Sequence, residues 1–368
     1  MFHPFELAFC GLSGSGKTTL VTRVLRHFRE AGHEPGYFKH GCHRFEIDRE
    51  GKDSFLARQA GATAVMIADP EKEAIVSENG VLPRSSALLP CDLLFIEGLK
   101  ELPIPKMLLI DSVGAILDQL ESGVVRNVAA LVHAGSGTDL ERFGLPVFYR
   151  DDLDSITAFI EGHFKARAAE VPLYGLVLAG GRSSRMGRDK ALLRYGAETQ
   201  LAATASLLSG RCDRVFISCR DEQAADYGFT GLPVVTDAYL DMGPLGGLLS
   251  AQRLHPEAAW LVLACDFPFM DETSIGTLVA RRDPFRFATA FRLPGDERPE
   301  PLCTIYEPKS RMPLLISHGE GCDSLSRFLQ HSRITIVEPS NPDPLQNVND
   351  DDAMRQAMDE MQAGGHRC

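Results

Sequence analysis

Leu176-Val177-Leu178-Ala179-Gly180-Gly181-Arg182-Ser183-Ser184-Arg185-Met186-Gly187-Arg188-Asp189-Lys190 is an apolar run that ends in paired glycines, a hydroxyl-rich loop, two arginines and a lysine. The apolar run reads as a buried strand. The glycines let the backbone fold around a polyanion with its N–H groups pointing inward. Arg185 adds a planar fork and Lys190 a mobile point charge. A strand that feeds such a loop predicts an α/β fold whose ligand carries phosphates.

The rest of the composition agrees with small anions held at defined pockets. The chain of 368 residues is long enough for about two ordinary domains, and it carries a net charge of -12. The charge is shared evenly, with 18 Lys+Arg against 24 Asp+Glu in residues 1 to 170 and 20 against 26 in the remainder. Neither half offers a basic face to a nucleic acid. No apolar run reaches the length of a membrane span, and Met1-Phe2-His3-Pro4-Phe5-Glu6 carries no basic segment before an apolar core. A cytoplasmic location follows as the expectation. The nine cysteines form no CxxC pair, so they read as reduced thiols. His40, Cys42 and His43 lie close together, but no second ligand pair follows at zinc-finger spacing.

A different phosphate loop stands near the start. After the short strand Leu7 to Cys10, Gly11-Leu12-Ser13-Gly14-Ser15-Gly16-Lys17-Thr18 fits G-x-x-x-x-G-K-[ST] at every fixed position, with Thr19 next. Leu20, Val21, Val24, Leu25 and Phe28 then recur at helical spacing until Gly32. The loop amides and helix N-terminus would cradle phosphates, Lys17 would reach the β and γ phosphates, and Thr18 would ligate Mg²⁺. Asp92 to Gly98 reads as a buried strand carrying Glu97 at its C-terminal end, where a second acid on the magnesium side belongs. Further strands are predicted at Met107 to Ile110, Val128 to Val132 and Val147 to Tyr149, giving a small parallel sheet. Gly36 to His40 and Cys42 to Ser54 form a polar insertion suited to a binding surface.

Residues 151 to 161 predict a helix, and the helical but alanine-rich run His163 to Pro172, which lacks strong apolar periodicity, predicts a linker, which places the domain boundary near residue 168. In the second half a helix is predicted from 198 to 209 and a strand from Arg214 to Ser218. Val234 to Asp237 is a strand ending on an acid. Gly243-Pro244-Leu245-Gly246-Gly247 precedes another helix, its glycines either admitting a ligand to the backbone or packing a turn. Leu261 to Asp266 is a buried strand that delivers Asp266 at its tip, the best magnesium ligand of this half. Arg298 to Leu302 leads into the strand Cys303 to Tyr306. Asn347-Val348-Asn349-Asp350 either serves the site or caps a C-terminal helix.

These motifs carry two resemblances. Through Gly11 to Thr19, Lys39-His40, Gly51 to Ser54, Gly61-Ala62 and Ile96-Glu97-Gly98, the first half is similar to the P-loop adaptor proteins of molybdopterin-guanine dinucleotide biosynthesis. Cys42 departs from the polar or histidine residue expected there. The second half resembles molybdenum cofactor guanylyltransferases through Leu178 to Gly181, Ser183, Arg185 to Gly187, Asp189-Lys190, Thr236-Asp237, Gly243 to Gly247, Cys265 to Pro268, Pro299 to Leu302 and Asn347 to Asn349. Ala179-Gly180-Gly181 favours the guanylyl branch, since the cytidylyl branch usually shows Ala-Ala-Gly.

The resemblances imply two three-layer α/β/α domains, residues 1–168 with a P-loop NTPase fold and residues 169–368 with a Rossmann-like nucleotidyltransferase fold. They imply that GTP and molybdopterin combine to molybdopterin guanine dinucleotide with release of pyrophosphate, the P-loop half binding GTP, hydrolysing it feebly and assisting. A cytidylyltransferase for the same cofactor, a sugar-phosphate nucleotidylyltransferase and, for the first half, an independent kinase are the rival readings. The expected nucleotide contacts are Leu178, Ala179, Gly180, Gly181, Lys190, Asp237, Gly243 and Asp266, and in the P-loop Gly11, Ser13 to Thr19 and Glu97. Lys190, Arg185 and Asp266 are the expected catalytic residues, with Mg²⁺ on Asp266 and Asn349, and on Thr18 in the P-loop. Molybdopterin-delivering and molybdoenzyme-maturation proteins are the implied partners, with a homodimer formed through the N-terminal half a further option. Nucleic acid and membrane are not expected as partners.

Overall fold

The computed structural model describes residues 2–40, 50–77, 87–135, 139–180, 189–194, 198–348 and 355. Two compact units, Met1–Lys165 and Ala166–Cys368, divide it.

In the first unit six strands form one parallel sheet: β1 (Glu6–Cys10), β2 (Pro35–Lys39), β5 (Leu93–Glu97), β6 (Lys106–Leu109), β7 (Val128–His133) and β8 (Val147–Tyr149). Their order is β2-β5-β1-β6-β7-β8. All residues of β1, β5 and β6 are buried, as a parallel sheet covered on both faces requires. Helix Lys17–Glu30 buries Leu20, Val21, Val24 and Phe28. Helix Leu153–Ala169 buries Ile156, Ile160 and Phe164, at a spacing of four that keeps them on one stripe. The run read as a linker is helical through Ala169, in keeping with its sequence. Phe164 packs against Phe5 and Phe95 at ring distances of 6.4 and 6.1 Å, so this part of the run serves the first unit's core. Two further strands, β3 (Ala64–Ala68) and β4 (Glu73–Ser77), form a separate antiparallel hairpin with Met66, Ile67 and Ile75 exposed.

The second unit is a seven-stranded sheet of β9 (Leu173–Leu178), β10 (Arg214–Cys219), β11 (Val234–Thr236), β12 (Ala259–Ala264), β13 (Ala288–Phe291), β14 (Cys303–Tyr306) and β15 (Thr335–Val337). The order is β11-β10-β9-β12-β14-β13-β15. Only β14 runs antiparallel to its neighbours. From β9 the chain winds through β10 to β11, then returns to place β12 on the other side of β9. That reversal opens a crevice beyond the C-terminal ends of β9 and β12, where open α/β sheets bind ligands.

Gly246 and Gly247 correct one expectation. They lie inside helix Pro244–Leu254 and are buried, not in a loop ahead of it. A Cβ on Gly246 would collide with the Tyr239 carbonyl, and one on Gly247 with Ser218 Oγ. Their smallness lets the helix sit close to the sheet. Gly243, just before the helix at φ 57°, lines the crevice together with Gly247. The described cysteines are free thiols, as expected.

Candidate functional site

The crevice between β9 and β12 is a cavity of about 490 Å³. Leu178, Ala179, Gly180, Lys190, Asp237, Gly243 and Asp266 all line it. These sequence-predicted residues lie far apart in the chain, and the strand ends deliver them to one place. Gly181, Arg185 and Asn349 lie outside the described residues.

Each polar group is held by the local fold. Asp189 caps the short turn Lys190–Leu192 by accepting from the Ala191 amide at 3.0 Å. It also accepts from the Tyr227 hydroxyl at 2.6 Å and from Gln223 Nε2 at 3.3 Å. Tyr227 is fully buried, with its hydroxyl 3.2 Å from the Ala179 carbonyl. The two ends of the glycine loop are therefore tied to one phenol. Lys190 Nζ donates to the Val348 carbonyl at 2.9 Å, and the Val348 amide donates to the Asp266 carbonyl at 2.9 Å. Val348 thus holds the lysine and the acid in one frame.

The electrostatics are those of buried carboxylates. Burial raises the Asp266 carboxyl above its ordinary range, against the opposing pull of Lys190. Asp237 is also raised, again chiefly by burial and opposed by Arg220. Asp266 Oδ1 and Asp237 Oδ1 are buried without a hydrogen-bond partner. Glu300, held at 2.8 Å by the Leu302 amide, is raised by burial and by the charge of Asp266. The unpartnered buried oxygens of Asp237 and Asp266 suit a hard divalent cation as single ligands, but among the described residues no group of three or more acidic, histidine or cysteine side chains gathers to hold one. A polyphosphate entering beside so many carboxylates also needs positive charge to offset them.

Sequence reasoning missed Arg220, Tyr239 and Asp241, which line the crevice, and Tyr227, which supports it; Val348 it named only as the middle of the Asn347 to Asn349 motif, with no role of its own. Arg220 follows directly on β10, a strand-end position that the crevice rule could have flagged. Tyr227 carries no motif.

The first unit has its own arrangement. Gly14 and Gly16 sit at φ 80° and 86°, in the left-handed region that favours glycine. Lys17 Nζ donates to the Leu12 carbonyl at 2.7 Å across the loop. The Thr18 hydroxyl lies 3.0 Å from both Glu97 carboxylate oxygens. The structure thus brings together the two predicted magnesium-side residues. Tyr37 donates to Glu97 at 2.9 Å and Lys39 lies 3.4 Å away. Burial pushes the Glu97 carboxyl upward, but Tyr37, Thr18 and Lys39 outweigh it and hold it below its ordinary range. Ser15 Oγ is buried without a partner. An ionised acid beside a hydroxyl and an unpartnered oxygen in a glycine loop fit a magnesium nucleotide. Ser13 and Thr19 are exposed at the loop, Gly11 starts it, and Cys42 and His43 lie outside the described residues.

Among known proteins, residues 6–132 match the family described as molybdopterin guanine dinucleotide synthesis protein B, and residues 175–336 match the MobA-like NTP transferase domain. A molybdenum cofactor biosynthesis bifunctional protein of Synechocystis sp. is 32% identical over 185 residues, covering 50% of this chain and 53% of that protein. A molybdenum cofactor guanylyltransferase of Xanthomonas euvesicatoria is 34% identical over 174 residues, covering 45% of this chain and 84% of that protein. A probable molybdopterin-guanine dinucleotide biosynthesis adapter protein of Bacillus subtilis is 30% identical over 176 residues, covering 46% of this chain and 99% of that protein. The chain spans 53% of the length of the bifunctional relative, and 61% and 63% of two further adapter proteins.

Proposed function

Because the chain belongs to the molybdenum cofactor guanylyltransferases through its C-terminal half and to the molybdopterin-guanine dinucleotide biosynthesis adapter proteins through its N-terminal half, we propose that it transfers GMP from GTP to molybdopterin in its molybdenum-bound form. Pyrophosphate leaves, and the P-loop half binds GTP in support. The observation that carries the reading is the convergence of Gly180, Lys190, Asp237, Gly243 and Asp266 on one crevice, with two carboxylate oxygens buried there and unpartnered.

The terminal phosphate of molybdopterin attacks the α-phosphorus of GTP in line. A new P–O bond forms as the bond from the α-phosphorus to the oxygen bridging it to the β-phosphate breaks, and that oxygen departs with the pyrophosphate. Little covalent work falls to the protein, so positioning and charge dominate. Lys190, held by Val348, steadies the transferred phosphate. The backbone from Gly180 onward and Arg185 hold the departing pyrophosphate. Asp237 contacts the nucleoside or orders the cation's surroundings. Mg²⁺, which Asp266 and Asn349 would hold, would supply neutralisation of the charge that builds on the pyrophosphate.

In the first unit, Gly11 to Thr19 and Glu97 form the supporting nucleotide site. A homodimer through this half is supported by the β3-β4 hairpin, since a two-stranded ribbon backed by the short helix Asp53–Gln59 and exposing Met66, Ile67 and Ile75 is marginal in water. No helix among the described residues is long and apolar enough to cross a membrane, which is compatible with the proposed cytoplasmic location. Molybdopterin-delivering and molybdoenzyme-maturation proteins are the proposed partners, and the domain boundary is proposed near residue 168.

The test is pyrophosphate release from purified protein given molybdopterin with GTP, CTP or UTP. Release with GTP alone is expected. Release with CTP instead would move the enzyme to the cytidylyl branch, and nucleotide binding without release would leave only a binding module.

A further inference from the structure

The P-loop is flanked on two sides. β5 lies beside β1, and its Glu97 meets Thr18 at the end of the loop where the metal and terminal phosphate belong. On the other side of β1 the sheet continues through β6 and β7 to β8. Arg150, the residue after β8, reaches back over the loop. A Cβ on Gly16 would lie 3.1 Å from Arg150 Nη1 and 3.3 Å from its Cδ. Gly16 is the N-cap of helix Lys17–Glu30, where unsatisfied amide N–H groups and the positive end of the helix converge. A guanidinium beside that positive end is unfavourable unless an anion lies between them.

Apart from solvent, to which its side chain is 35% exposed, Arg150 has one weak ionic partner. Its Nε lies 3.8 Å from Asp151 Oδ1, a carboxylate that Arg23 already engages at 3.4 Å. Its terminal nitrogens have no hydrogen-bond partner among the described residues. The Arg150 backbone is fixed by donation to the His133 carbonyl at 2.7 Å.

We propose that Arg150 binds the phosphates of the N-terminal nucleotide from the nucleoside side, closing the loop opposite Glu97 and Thr18. The proposal rests on the reading that this half binds a guanine nucleotide. Arg150 then contacts the α and β phosphates, which GTP and GDP share. Its planar fork meets phosphate oxygens in a way that a lysine reproduces only as a point charge.

Titration of the full chain with fluorescently labelled GTP and GDP tests this, in a background carrying Lys190→Ala and Asp266→Ala to silence the second site. Arg150→Ala should weaken both nucleotides alike, by about 10- to 100-fold for one charged hydrogen-bonding group. Arg150→Lys should recover part of that loss. Arg150→Gln keeps the aliphatic stem and serves should the alanine variant misfold, with thermal melting as the check. Unchanged affinity in the Arg150 variants, while Lys17→Ala abolishes binding, overturns the proposal. So does a loss confined to GTP, which would put Arg150 on the terminal phosphate. If the background chain binds neither nucleotide, the nucleotide-binding reading of this half fails as well, and Arg150 with it.

Discussion

At the residue scale the C-terminal site sets stability against function. Burial raises Asp266 and Asp237, so each binds its proton more tightly in the folded chain than in the unfolded one. The stability tied to those protons is fully present below the unfolded carboxyl range and is lost as pH rises through the raised folded values. At neutral pH Asp266→Asn should therefore raise Tm, by about 2–4 °C per kcal/mol of relieved charge burial. Turnover should fall roughly 10²-fold or more, as for loss of one charge contact in a transferase site. Calorimetry paired with pyrophosphate release reads both; a variant that is destabilised, or that turns over normally, contradicts the assignment. The acid limb of kcat/KM should lie above the ordinary aspartate range and move to lower pH as Mg²⁺ is raised, because cation and proton compete for the same oxygens. Tyr227→Phe removes a 2.6 Å hydrogen bond to Asp189 and should cost about 1–2 kcal/mol of stability, read by urea unfolding.

At the element scale the clearest expectation concerns helix Pro244–Leu254. Gly246→Ala would press a methyl against the Tyr239 carbonyl, which is backbone and cannot rotate away. The helix start or the turn carrying Tyr239 and Asp241 must shift, at about 1–3 kcal/mol in the manner of overpacking. Since that turn lines the crevice, KM for nucleotide should rise as well, whereas a purely structural defect would lower only Tm. Sequence reading placed these glycines before the helix because glycine is a poor helix former. Tertiary packing overrides that preference, since the helix can sit close to β10 only without side chains there. β1, β5 and β6 were legible because each is a short apolar run with both faces buried, whereas β2, half exposed and carrying Gly36, Tyr37 and Lys39, reads as part of a polar insertion. The direction of β14 was not, since a strand buried on both faces reads the same either way.

At the scale of the whole molecule, each unit carries a phosphate loop of its own. If the hairpin β3-β4 forms a dimer contact, Met66→Lys with Ile75→Lys should convert a dimer to a monomer in analytical ultracentrifugation while leaving pyrophosphate release in place. A dimer that survives both changes removes the hairpin from the interface. The sequence by itself determined that there are two α/β units, where their glycine loops fall and which acids stand at strand ends. Motifs of that kind are local, their spacing dictated by one phosphate group and one strand-to-helix turn. Only the tertiary structure decided that Val348 anchors both Lys190 and Asp266, that Tyr227 ties Ala179 to Asp189, and that Arg150 crosses to Gly16. Those contacts join segments separated by tens to more than a hundred residues. Parallel strands deliver side chains from distant stretches to one sheet end, and no local periodicity records which of them will meet.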